Sequence, residues 1–125
     1  MDEPRYEQGM RTRREVLGDV HVDRSLESQT DFDAGFQRFI TEYAWGTVWS
    51  NDTLDRETRS LITIAILASL GRTDELALHV RASQNIGVPA EKIAEAMHHV
   101  AIYAGVPAAN TGFKIAREIL QPGES

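Results

Sequence analysis

From residue 56 onward, apolar residues recur at helical spacing, and the blocks they form are separated by single glycines and prolines. Gly71, Gly87 and Gly105 close successive blocks, and Pro89 and Pro107 stand just behind two of them. Glycine past the end of one helix and proline at the start of the next is helix punctuation. Strand-like alternation is scarce along the chain. These signals together predict an all-α domain of about six helices with short connections, a bundle spanning residues 1–125 as a single unit.

The spacing predicts a polar first helix over Pro4–Leu17, stopped by Gly18, and then an ordered loop over 19–29. Thr30 and Asp33 form a capping-box-like start. The helix behind them places Phe32, Phe36, Phe39, Ile40 and Tyr43 on one apolar stripe and is expected to end at Gly46, ahead of a turn at Ser50-Asn51-Asp52. Asp55 is placed as the cap of a helix over Arg56–Leu70. Its second half is apolar all round, which predicts burial on every side, between subunits as well as within one. The β-branched run over 62–66 could also be a buried strand, but its helical flanks argue against that. Thr73 is expected to cap the next helix, with Asp74 and Glu75 in its acidic first turn and Gly87 as its end. Pro89 is expected at a first helical position. Ile93, Met97, Val100, Ala101 and Ala104 share one face of that helix, and Pro107 opens a last helix carrying Phe113, Ala116 and Leu120, before a tail from Gln121.

Composition removes several classes of function. The chain has no cysteine, which excludes disulfides, thiolate metal sites and thiol redox chemistry. A formal charge of -6 lacks the basic footprint that nucleic acid or an anionic membrane surface requires. The longest uncharged apolar run, Leu61–Leu70, is about half of the roughly 20 residues a membrane span needs. The N-terminal residues are charged and polar, unlike a secretory signal. The expected setting is cytoplasmic. Eleven of the thirteen basic residues are arginine, the better bidentate partner for carboxylates, although genome composition can produce the same skew.

Glu75 and His79 are four residues apart and so stack on one helix face. A carboxylate one turn from an imidazole can orient the ring and favour its protonated form, which makes a general acid. Arg72 lies seven residues before His79, on roughly the same side. The same spacing also fits a solvated face with an ordinary Glu–His pair. The adjacent His98 and His99 point about 100° apart and cannot share one metal ion, and no other ligands pair with Glu75 and His79 at a metal-binding spacing. No metal is expected. Trp45, Trp49 and Tyr43 could wall a ligand pocket or fill an interface.

Several motifs are familiar in combination. Residues 54–65 (Leu-Asp-Arg-Glu-Thr-Arg-Ser-Leu-Ile-Thr-Ile-Ala), 74–82 (Asp-Glu-Leu-Ala-Leu-His-Val-Arg-Ala), 85–88 (Asn-Ile-Gly-Val) and 103–109 (Tyr-Ala-Gly-Val-Pro-Ala-Ala) resemble the carboxymuconolactone decarboxylase family. Gly9-Met10-Arg11 through Leu17-Gly18 and the 39–46 segment resemble the family's namesake. The wider superfamily includes an alkyl hydroperoxidase D type that uses a Glu, a Cys-x-x-Cys pair and a His. Aligned on His79 and Gly87, the two cysteine positions hold Arg72 and Glu75, and the glutamate position holds Ser60 next to Arg59. Only the histidine remains, which replaces redox chemistry with acid–base chemistry.

The resemblance implies a helical bundle that oligomerises, as a ring-like hexamer, and a cofactor-free decarboxylation of a small lactone dicarboxylate in aromatic-acid breakdown. It implies His79 as proton donor with Glu75 orienting it, Arg72 or Arg59 holding a carboxylate or an oxyanion, and Trp45, Trp49 and Tyr103 as pocket walls. Two alternatives stay open: a decarboxylase or isomerase of another small lactone, and a non-catalytic assembly protein on the same frame.

Overall fold

The computed structural model describes residues 3–121 and is helical, with no strand among the described residues. Seven helices follow in order: α1 (Glu3–Leu17), α2 (Asp19–Ser28), α3 (Ala34–Ile40), α4 (Arg56–Leu70), α5 (Thr73–Asn85), α6 (Ala90–Tyr103) and α7 (Val106–Leu120). A π-helical segment, Thr41–Trp49, continues directly from α3. Packing divides the chain into two compact units, one through Asp55 and one from Arg56. No described helix is long and apolar enough to cross a membrane.

In the first unit α1 packs along the π segment. Its buried stripe is Gly9, Thr12, Arg13 and Val16, at i, i+3, i+4 and i+7. The approach is backbone to backbone. A Cβ on Gly9 would sit 2.0 Å from the Thr41 carbonyl oxygen, and one on Gly46 would sit 2.4 Å from the Arg5 carbonyl oxygen. Gly46 therefore does not end a helix, as its position in the sequence suggested. It serves the crossing, and the chain winds on to Trp49. Two side-chain bonds span five residues within or just past this segment, Thr47 Oγ1 to the Glu42 carbonyl at 3.1 Å and Ser50 Oγ to the Trp45 carbonyl at 2.5 Å.

The expected loop over 19–29 is a helix, which raises the count from six to seven. Gly18, at φ 91°, turns the chain sharply between α1 and α2. Val22 is the one fully buried residue of α2, so no apolar stripe announces it. Arg14 instead pairs with Asp19 and Asp23, at 3.0 and 2.8 Å, and these contacts raise its pKa. Thr30 and Asp33 make half of the expected box: the Thr30 N–H donates to Asp33 Oδ1 at 2.7 Å, and α3 starts at Ala34. The phenylalanine stripe is not core. Phe32 is 99% exposed, and Phe36, Phe39 and Tyr43 are exposed beside it.

The second unit carries a continuous core from Ile64 and Ala68 of α4, Leu76 and Val80 of α5, Ile93, Met97 and Val100 of α6, and Ala109 and Ala116 of α7. Small residues on α7 let it pack closely: a Cβ on Gly112 would lie 2.6 Å from Met97 Sδ. Helix α4 has the expected bounds; one side of it is buried within this chain, and Ile62, Ile66 and Leu70 on another are exposed. Arg72, not Thr73, occupies the cap position of α5, and no side-chain hydrogen bond caps it. Pro89 likewise stands just outside α6, extended at ψ 144°, a conformation proline's fixed φ suits.

The glycine crossing predicts opposite outcomes for two alanine substitutions. Gly9→Ala should destabilise the first unit by about 3 kcal/mol, since backbone must move to admit the methyl group. Gly35→Ala meets nothing within 4 Å and should stabilise by up to about 1 kcal/mol. Urea denaturation followed by tryptophan fluorescence checks both, because both tryptophans, Trp45 and Trp49, lie in this unit.

Candidate active site

Three candidate residues lie on α5 or at its cap. The buried face of the helix runs through Leu76, Val80 and Ser83, at i, i+4 and i+7. His79 is three residues beyond Leu76 and one before Val80, so it sits at the edge of that face and is half-buried. Its Nδ1 is shielded from solvent. Glu75 lies one turn earlier and is exposed, and Arg72, at the cap, is exposed as well. Along the helix an exposed cation at the cap and an exposed carboxylate thus precede a half-buried imidazole.

Arg59 is half-buried on α4 beside Ser60, which is buried. Tyr103 stands elsewhere on the second unit, at the C-terminal end of α6. It is 83% exposed, its ring lies 5.6 Å from that of His99, and both line an open apolar groove of about 410 Å³ with Ile66 and Leu70. His79 is not part of that groove's wall. Trp45 and Trp49 belong to the first unit. Both are buried, with ring centroids 5.1 Å apart, so each carries packing in addition to any contact with a ligand.

His98 and His99 are both exposed. His98 Nδ1 is hydrogen-bonded to the Glu95 carboxylate, and its ring packs 5.9 Å from Phe113. Among the described residues no group of three or more His, Cys, Asp or Glu could hold a metal ion.

Two charged features went unnoticed in the sequence. Lys92 Nζ and Glu57 Oε1 pair at 2.5 Å between α6 and α4, and their 35-residue separation leaves no local signal. Arg13 is buried in the first unit. Its signal was available, since it falls on the Gly9, Thr12, Val16 stripe.

Comparison with known proteins places this frame. Residues 34–118 match the carboxymuconolactone decarboxylase family. The chain belongs to that family. It is 51% identical over 120 residues to the 4-carboxymuconolactone decarboxylase of Acinetobacter baylyi, covering 96% of this chain and 90% of that protein. It is 41% identical over 102 residues to the nitrosuccinic acid decarboxylase of Metarhizium robertsii, covering 82% and 71%. A 47-residue stretch is 57% identical to a 4-carboxymuconolactone decarboxylase of Pseudomonas putida, covering 37% and 98%. The match to the carboxymuconolactone decarboxylase family begins at α3, so α1 and α2 precede it. The Acinetobacter relative aligns with 120 of the 125 residues and therefore shares most of those two helices as well.

Proposed function

We propose that this member of the carboxymuconolactone decarboxylase family is a carboxy-lyase that converts 4-carboxymuconolactone into β-ketoadipate enol-lactone and carbon dioxide. The observation that carries the reading is the 51% identity across 96% of the chain to a relative of that name. The composition of α5 supports it, since a cation and a carboxylate precede a half-buried histidine where the thiol-using branch resembled in the sequence has a dithiol.

The substrate's own structure explains why such a simple site suffices. The departing carboxylate sits on a ring carbon vinylogous to the lactone carbonyl. When the carbon–carboxylate bond breaks, its electron pair moves through the ring double bond to the carbonyl oxygen, and carbon dioxide leaves. The resulting dienolate takes a proton on the carbon next to the carbonyl. The ring is thus its own electron sink, and no cofactor is needed to supply one. The protein has to stabilise the developing oxyanion, deliver one proton and hold the remaining carboxylate.

In this reading His79 delivers the proton, through Nε2 because Nδ1 is shielded, and the Glu75 carboxylate one turn away favours the charged ring through space. Arg59, half-buried, stabilises the oxyanion or clamps a carboxylate where water competes less, and Arg72 meets the substrate from the rim. Tyr103 belongs to an association surface. It lines one open apolar groove with Ile66 and Leu70, and contiguous exposed apolar surface marks an interaction site. A second copy covering it gives the homo-oligomer, a hexamer in the family's pattern.

A second reading rests on the fungal relative. Nitrosuccinic acid also carries its own electron sink, the nitro group beside the departing carboxylate, and a second carboxylate. Another small self-activated dicarboxylate is therefore the closest rival substrate.

Purified protein mixed with fresh 4-carboxymuconolactone should remove the lactone's ultraviolet absorbance and release one carbon dioxide per molecule. Nitrosuccinate should turn over far more slowly, and the reverse order would favour the second reading. Replacing the carboxylate-clamping arginine by lysine should raise KM by about tenfold and change kcat by less than about threefold. Steady-state kinetics of Arg59→Lys and Arg72→Lys will show which arginine it is. Ile66→Asp should shift the protein to smaller species in sedimentation velocity, and unchanged size would remove this face from the assembly.

A further inference from the structure

The first unit contains a cation that no described carboxylate neutralises. Arg13 is 5% exposed. Its Nη1 donates to Thr41 Oγ1 at 3.3 Å and its Nη2 to Gln37 Oε1 at 3.2 Å. Both acceptors are neutral. Nε is shielded from solvent and has no acceptor among the described residues. Burial pushes the guanidinium below its ordinary pKa, Tyr6 opposes that shift, and Arg14 adds to it. A buried charge is costly unless it is paired. The neighbouring Arg38 shows the usual solution. It lies over the Tyr6 ring at 4.2 Å and pairs with Glu42 at 3.2 Å and with Glu3.

A pocket of about 200 Å³ adjoins Arg13. Its walls include Tyr6, Gln29, Gln37, Arg38 and Thr41, and no carboxylate. Two of these residues, Gln37 and Thr41, are the ones Arg13 holds. The Thr41 hydroxyl is committed, because it donates to the Gln37 backbone carbonyl at 2.8 Å and accepts from Arg13. Gln37 is only half committed. With Oε1 turned to Arg13, its side-chain nitrogen carries two donors. The buried cation thereby fixes the amide so that a wall residue offers hydrogen atoms, whereas the charge of Arg38 is already met by Glu42 and Glu3.

We infer that this pocket is a binding site for a small oxyanion, a carboxylate or a phosphate, held by the Gln37 amide and offsetting the charge of Arg13 on the other side of that amide. The volume suits an ion of acetate or phosphate size with a few waters. Tyr6, Arg13 and Gln29 precede the residues that match the family, and the site shares no residue with the α5 group. The inference does not depend on the proposed reaction.

The test is thermal unfolding of the whole protein in sodium phosphate, sodium acetate or sodium chloride at matched ionic strength. Wild-type protein should show a saturable rise in melting temperature with phosphate, acetate or both, and none with chloride. The anion that acts identifies the ligand's geometry. Gln37→Glu places a carboxylate against Arg13 from within. It should melt above wild type without added anion and bind the anion at least about tenfold more weakly. Arg13→Met should lose the anion response while remaining folded, and if it fails to fold, Gln37→Glu carries the test alone. His79→Ala should keep the full response. An anion response that is absent in wild type, or unchanged in Gln37→Glu, overturns the inference.

Discussion

The burial of Leu76 and Val80 fixes what α5 can present. The two side chains are one turn apart and almost wholly enclosed by residues of α4, α6 and α7. Burying an aliphatic side chain of this size stabilises by about 1.5–3 kcal/mol. Rotating the helix by a single position, about 100°, would expose both. Fixing these two anchors therefore fixes the azimuth of His79, and with it Glu75 one turn away and Arg72 about two turns away. Close packing of α7 tightens the same arrangement, because Gly112 leaves room for Met97 to reach the centre of the core.

The first unit follows a different logic, in which contact is made by removing side chains. Gly9 and Gly46 let α1 lie directly on the backbone of the π segment, and the looser winding carries Trp45 and Trp49 to a shared buried face. Segments of π-helix are rare and recur at functional sites. One that supports both tryptophans and the wall of the Gln37 pocket, while also forming the seam with α1, links the stability of the unit to whatever it binds.

The sequence disclosed the second unit better than the first for a physical reason. Helices α4 to α7 bury continuous apolar stripes and are separated by Gly71, Gly87 and Gly105, all at positive φ, so periodicity and punctuation agree. Helix α2 buries one residue fully and is tied down by the Arg14 ion pairs, which leave no periodic trace. The Phe32, Phe36, Phe39 stripe and the Ile62, Ile66, Leu70 face were legible as apolar, but hydropathy does not say whether a neighbouring helix or another molecule covers them. At the candidate site, the one-turn spacing of Glu75 and His79 along α5 was readable in the sequence. The half-burial of His79 and the placement of Tyr103 on a separate groove were not, because both depend on contacts between helices distant in sequence.

The central claim is that an imidazole proton completes a bond cleavage that the lactone ring already makes feasible. The most direct measurement is the rate of carbon dioxide release from 4-carboxymuconolactone by His79→Gln under saturating substrate, with circular dichroism confirming an intact fold. The account predicts a fall in kcat of about 10²–10⁴-fold with little change in substrate binding. A folded variant that turns over within a few-fold of wild type would contradict it.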